Sequence, residues 1–281
     1  MSMSEQKESS VQETDWAAVA TGILFTGLLL WWMFLKSAGQ FENAFAANGL
    51  WAASYQAVAL WGGVWGLIIA RSWGGTKSVM GRAISALTAG LLFQVLGQSV
   101  FSYYNLFAGV EMPYPSLADL GYFGSIPLYA YGILMLAKAS GIKLSIKSFV
   151  SQIQYTIIPA VVLGLSYYNF LLGYEFDWSA PLKTFLDFGY PLGQAFYVSV
   201  ALLTYLLSRK TLGGVMKTKV LFILVALAVQ YVADYNFLLQ VANGTWEMGG
   251  YGDMIYLCSY FLMALGLIQM RMHLITTKSS E

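Results

Sequence analysis

The sequence predicts an all-α, polytopic membrane protein with eight transmembrane helices arranged as two-helix, parallel repeats of about 66 residues. Three observations predict it. Of 281 residues 58% are hydrophobic and 10% charged, and the mean hydropathy is +0.61. A soluble domain carries about 25% charged residues, so a water-soluble globule is excluded. The charges are spaced so that uncharged runs recur at 16–35, 43–70, 83–110, 120–137, 148–174, 188–208, 220–233 and 254–270. About 20 mostly apolar residues are needed to cross the hydrocarbon core, and the eight runs give eight candidate spans. Polar marks then recur at a fixed spacing in the last six runs.

The polar segment 1–15 reads as a cytoplasmic tail, and 16–281 as a single membrane domain. The first run is a retained span, because no cationic segment precedes it and it exceeds the apolar stretch of a secretory signal, although Ala44-Phe-Ala46 imitates a cleavage site. Spans are placed near 17–36, 50–70, 82–105, 116–137, 150–172, 183–207, 219–241 and 252–272. Short cytoplasmic loops are enriched in lysine and arginine. Thirteen of the 15 basic residues fall on alternate connections and the tails: Lys7, Arg71, Lys77, Arg82, Lys138, Lys143, Lys147, Arg209, Lys210, Lys217, Lys219, Arg271 and Lys278. Lys36 and Lys183 fall on the other side, with Glu42, Glu111, Glu175, Asp177 and Glu247. This alternation requires an even number of crossings and puts both termini in the cytoplasm of a multi-pass protein of the cell membrane.

Residues 81–147, 148–216 and 217–275 form three similar hairpins, and 16–80 a degenerate pair without their marks. Outward-running helices end in Tyr104-Asn105, Tyr168-Asn169 and Tyr235-Asn236, and inward-running helices begin with Asp119 and Tyr122, Asp187 and Tyr190, Asp253 and Tyr256. The asparagines are 64 and 67 residues apart and the aspartates 68 and 66. Because each unit crosses twice, the repeats are parallel, and repeat interfaces in membrane folds usually hold the functional site. Residues three apart share a helix face, so each Asp-x-x-Tyr pair projects together. Asp234 lies two residues before Asn236 and therefore somewhat deeper.

The run Pro113-Tyr-Pro115-Ser116-Leu-Ala-Asp119-Leu-Gly-Tyr122, followed by Pro127-Leu-Tyr and Gly132, resembles the PxPSxAD…Y…P signature of the multi-span N-terminal membrane sensory modules of bacterial and archaeal diguanylate cyclases and sensor kinases. The resemblance implies a prokaryotic sensory input module, of a kind generally without a known ligand. No cyclase or kinase domain follows the last span, so any output is expected on a separate signalling protein at the basic cytoplasmic loops.

Two uses of the acids are open. Ser116-x-x-Asp119 and Thr184-x-x-Asp187 have capping-box spacing, Gly250 stands in the corresponding place before Asp253, and a carboxylate in a first turn is favoured by exposed N–H groups and the helix dipole. Such residues can also lock neighbouring helices, with Asp or Tyr bonding to the Asn of the next. The functional use starts from cost, since carboxylates at membrane depth mark ion, proton or substrate paths, and three acids with amide and phenol neighbours suit a hard cation or, with the surrounding aromatics, an organic one. Asp234 is the sharper candidate because capping cannot explain it, and Lys183 stands where it can neutralise Asp187. Gly62-x-x-x-Gly66 and Gly189-x-x-x-Gly193 mark close helix contacts.

One cysteine, Cys258, and one histidine, His273, exclude a disulfide framework, a bis-histidine haem and a three-histidine zinc site within one chain. No Ser/His/Asp or Cys/His set, phosphate-binding glycine loop or mid-span lysine is present, so no enzyme and no cofactor are expected. A net charge of +1 gives no footprint for nucleic acid. The leading expectation is a non-enzymatic sensory or ligand-binding module in the lipid bilayer. In it Asn105, Asp119, Tyr122, Asn169, Asp187, Tyr190, Asn236, Asp253 and Tyr256 shape an outward pocket that Asp234 closes from below. The alternatives are a small secondary transporter or channel for a cation or small organic amine, and a purely structural subunit. The apolar inner halves, such as 202–207 and 221–225, favour the first.

Overall fold

The computed structural model describes residues 15–37, 45–110, 113–141, 149–211 and 214–271. Most of the expected cytoplasmic tail, together with Lys7, Glu42, Glu111, Lys143, Lys147, His273 and Lys278, lies outside them. The described residues are helical and contain no strand. In chain order the helices are α1 (Trp16–Ser37), α2 (Phe45–Ser54), α3 (Gln56–Ser72), α4 (Val79–Ser102), α5 (Leu117–Ala139), α6 (Phe149–Ser166), α7 (Pro181–Thr211), α8 (Gly214–Ala242) and α9 (Tyr251–Gln269). The segments Trp16–Ser37, Ala47–Ser72, Val79–Ala108, Leu117–Ala139, Pro181–Leu207, Thr218–Ala242 and Tyr251–Gln269 are long and apolar enough to cross a bilayer. Seven such helices among the described residues make this a helical, multi-pass membrane protein. At the fifth expected position stands a shorter apolar helix, Thr156–Leu171.

Local chemistry sets the ends. Asp15 starts α1 by accepting from Ala17 N at 3.1 Å and Ala18 N at 3.4 Å, and Ser78 starts α4 by accepting from Gly81 N at 2.8 Å. Ser116 and Asp119 start α5 with a complete capping box, which satisfies two of the N–H groups that a helix start leaves unpaired. α4 and α6 each end in a π-helical turn, Tyr103–Ala108 and Tyr167–Leu171. These hold the first two Tyr-Asn marks. The third, Tyr235-Asn236, is instead inside α8.

The bundle is a closed ring. α3 packs on α4, α4 on α5, α5 on α7, α7 on α8, α8 on α9, and α9 returns to α3. α1 lies outside against α9 and α3, and α6 outside against α7. The core at the ring's centre is built from Trp51, Tyr129, Tyr197 and Tyr260 among Ile84, Leu87, Leu91, Ile133 and Leu227. Lipid is as apolar as leucine, so packing and interhelical hydrogen bonds hold such a ring rather than the hydrophobic effect. Small residues sit at the contacts. A Cβ on Gly121 of α5 would fall 2.3 Å from Gly97 N of α4. One on Gly62 would meet Ala264 at 2.5 Å, one on Gly66 would meet Thr88, and ones on Gly189 and Gly193 would meet Phe123 at 2.6 Å and Ile126 at 2.9 Å, so both glycine pairs mark helix contacts.

At one end of the ring the first and last described residues meet. Arg271 Nη1 lies 3.4 Å from Asp15 Oδ1 and its guanidinium covers the Trp65 ring at 4.6 Å. Trp73 Nε1 donates to Met270 O at 2.8 Å, and Lys219 Nζ to Gln269 O. At the other end lie residues 109–110, 113–116, 172–180 and 243–250, where Trp32 Nε1 donates to Gly249 O at 3.0 Å.

Candidate functional site

The starts of α5 and α7 exchange phenols and carboxylates. Tyr114, on the connection before α5, donates to Asp187 Oδ1 at 2.9 Å, and Tyr190 of α7 donates to Asp119 Oδ1 at 2.7 Å. Each helix start thus gives one acid and takes one. Asp119 Oδ2 accepts from Ser116 N at 2.7 Å as the helix cap, so both oxygens are in use. Asp187 Oδ2 accepts from Tyr174 at 2.6 Å, on the connection before α7, and from Lys183 Nζ at 2.7 Å. Two connecting segments are therefore tied to one carboxylate.

Thr184-x-x-Asp187 does not act as a cap. α7 begins at Pro181, which needs no N–H partner, so Asp187 falls in the second turn, and the Thr184 hydroxyl donates instead to Asp177 O at 2.9 Å. The connection has its own cap: Asp177 Oδ1 accepts from the Ser179 hydroxyl and from Ser179 N at 2.9 Å, and these bonds hold the Asp177 carboxyl below its usual value. Burial first, then the bond to Asp187, pushes the Tyr114 phenol above the usual tyrosine range. Tyr174 is pushed the same way, first by its bond to Asp187.

Beside this clasp is an open hollow of about 280 Å³ lined by Tyr114, Tyr174, Lys183, Asp187 and Tyr190 and, on its apolar side, by Phe170, Leu186, Pro191, Leu238, Val241 and Ala242. Its lip is the Lys183–Asp187 pair, whose lysine side chain is 45% exposed. Phe176 stacks on Phe188 with centroids 5.0 Å apart, which fastens the 172–180 connection to α7 by rings as well.

Deeper in the ring the same residue types meet without a cation. Asp234 is 6% exposed and accepts from Tyr197 of α7 at 3.1 Å, Tyr256 of α9 at 2.9 Å and Gln230 on its own helix at 3.0 Å. Ser259 donates onward to Gln230 Oε1 at 2.6 Å. Tyr122 donates to Gln98 Oε1 at 2.8 Å, and Gln98 Nε2 to Ala52 O at 2.9 Å. Gln94 joins Tyr260, at 3.3 Å, to Ser125, at 2.8 Å. Asp253 takes Gly249 N at 2.6 Å and fixes the turn before α9.

Each tyrosine of the three Asp-x-x-Tyr pairs therefore donates to another helix, Tyr122 to α4, Tyr190 to α5 and Tyr256 to α8. The asparagines do not share in this. Asn105 Nδ2 donates to Phe101 O and Asn169 Nδ2 to Leu165 O, both at 2.9 Å and both in their own helix. The π-helical turns around them place the amides over a carbonyl four residues back, away from the acids. Asn236 stands by Gly252, where a Cβ would lie 3.1 Å from its Nδ2. The interhelical partners are thus glutamine, serine and two further tyrosines, Tyr197 and Tyr260. A tyrosine seven residues after Tyr122 and Tyr190 (Tyr129 and Tyr197), and one four after Tyr256 (Tyr260), is the signal that marks that second layer.

Among the described residues no three His, Cys, Asp or Glu side chains come together as a metal-binding group, so the acids of the three units do not assemble a hard-cation site. No family model, curated protein or solved structure matches the chain.

Proposed function

We propose that the chain is a non-enzymatic sensory or ligand-binding membrane module whose ligand enters the outward hollow at Asp187. The observation that carries this reading is that one half-exposed ion pair at the lip also ties down two connecting segments through Tyr114 and Tyr174. A ligand that competes for Asp187 releases Tyr114. Because Tyr114 is two residues from the Ser116 cap of α5, and Asp119 of that cap is held by Tyr190, the release reaches the α5–α7 contact directly. The acids below act as interhelical locks, which keep the rest of the ring fixed while its rim changes.

The membrane layout belongs to the same proposal. Eight crossings, with Thr156–Leu171 as part of the fifth, place both termini on one side, and the contact of Asp15 with Arg271 at one end of the bundle supports that parity. The positive-inside bias makes this side cytoplasmic. The two-helix repeat is supported by the π-helical turns at two of the Tyr-Asn marks, and the resemblance to sensory modules by the capping box inside its motif. A separate signalling protein then reads the basic connections. The buried inner part of the ring is mostly apolar, including Val198, Ala201, Val220, Ile223 and Leu224, and its buried polar side chains among the described residues are Thr88, Ser199, Thr204 and Lys219, with no carboxylate among them, which favours a binding module over a transporter.

The test is a ligand screen by thermal stabilisation of the purified chain in nanodiscs. A compound that stabilises the wild type and not Asp187→Asn supports the reading. Flux through proteoliposomes that disappears in Asp234→Asn replaces it with a transporter.

A further inference from the structure

We propose that the hollow takes a small organic ammonium whose nitrogen replaces the Lys183 ammonium at Asp187. This rests on the ligand-binding reading above and names its ligand class. Lys183 Nζ lies 2.7 Å from Asp187 Oδ2 and 5.8 Å from the centroid of the Tyr114 ring. That is the place of a cation held by a carboxylate and an aromatic face. The occupant is tethered by a flexible, 45% exposed side chain and can swing into water. Asp187 also accepts from the Tyr114 and Tyr174 hydroxyls, which hold the carboxylate in place for the cation.

The walls fit the rest of such a ligand. Phe170, Leu186, Pro191 and Leu238 offer apolar surface for a short carbon chain, and a volume near 280 Å³ lies just below the usual range for drug-sized pockets, about 300–1,000 Å³. An anion fits poorly, because drawing Lys183 to it strips Asp187 of its counter-ion.

An ammonium can come from a free amine or from a lipid headgroup, and both present the same chemistry. The experiment uses butylammonium, which reproduces the lysine side chain, titrated by calorimetry into the full chain in phosphatidylglycerol nanodiscs. The wild type binds it, Lys183→Met binds it about tenfold more tightly because a competing unit charge has left, and Asp187→Asn does not bind it. If Asp187→Asn fails to fold, Tyr114→Leu in the Lys183→Met background serves: a severalfold loss supports the proposal, and unchanged affinity overturns it. Lys183→Met binding no better than the wild type also overturns it. Butyrate binding that Lys183→Met abolishes overturns the ammonium class and leaves the ligand-binding reading standing. No binding of either ion by wild type or Lys183→Met overturns both. Repeating the titration in phosphatidylethanolamine nanodiscs identifies the source: weakened apparent affinity there means a headgroup occupies the hollow, and unchanged affinity means a free amine, either of which keeps the class.

Discussion

Asp187 and Asp234 stand on adjacent helices, both take tyrosine hydroxyls, and their surroundings give them opposite behaviour. Asp187 lies at the rim with a half-exposed lysine as counter-ion, so its bonds compete with water and salt. Asp234 is 6% exposed and enclosed by two phenols and an amide from three helices, with no basic side chain among the described residues bonded to it. One chemistry therefore serves as a releasable clasp at the edge and as a fixed lock in the centre, and burial decides which.

The largest effect is expected at the lock. Asp234→Ala removes three hydrogen bonds and leaves Tyr197, Tyr256 and Gln230 without their acceptor, and interhelical bonds in membranes are worth about 0.6–2 kcal/mol each, so a loss of about 2–4 kcal/mol is predicted. Unfolding in mixed detergent measures it. A loss equal to that of Asp187→Asn breaks the comparison. Tyr190→Phe stands between the two, since it frees one oxygen of Asp119 while the cap keeps the other, and about 1 kcal/mol is predicted by the same measurement.

Asp187→Asn is predicted to cost less than about 1 kcal/mol, with a difference from wild type that shrinks as salt is raised. A large, salt-independent loss would make the rim a second lock. The pH response separates the two regions further. Tyr114 is held above the ordinary tyrosine value, so its stabilising contribution is in full below about pH 10 and is lost only as pH rises through its higher folded value. Absorbance titration at the phenolate band should show this phenol ionising after the exposed tyrosines, and in Asp187→Asn earlier than in wild type.

The smallest change tests topology. In a Cys258→Ser background, cysteine at Trp178, 79% exposed on its connection, should react with an impermeant maleimide from outside intact cells, and cysteine at Thr76, exposed on the basic connection between α3 and α4, only after permeabilisation. Labelling of Thr76→Cys in intact cells would break the proposed orientation.

The helices were legible because bilayer length and charge spacing leave a chain little choice. The span expected at 116–137 is the helix 117–139, and the cap of Asp119 follows from its spacing. The ion pair of Lys183 with Asp187 was legible as an i,i+4 pair. The closed ring with α6 outside it was not, because apolar residues lie on both the lipid face and the helix contacts and periodicity alone does not separate the two. Nor was the turning of Asn105 and Asn169 onto their own helices, since a π-helical turn depends on how the chain leaves the helix. The cap expected at Thr184 failed because Pro181 takes over the helix start. Tyr197 and Tyr260 escaped because a tyrosine at membrane depth resembles one of an interfacial belt until its partner is known.

The central claim is that the rim opens without the ring. Spin labels at Val110 and Trp178, on the two connections that Asp187 ties down, report it most directly by the distance between them in a Cys258→Ser background. In Asp187→Asn that distribution should broaden while a pair placed across α8 and α9 keeps its wild-type distance. An unchanged distribution at the rim, or equal broadening at both pairs, would contradict the account.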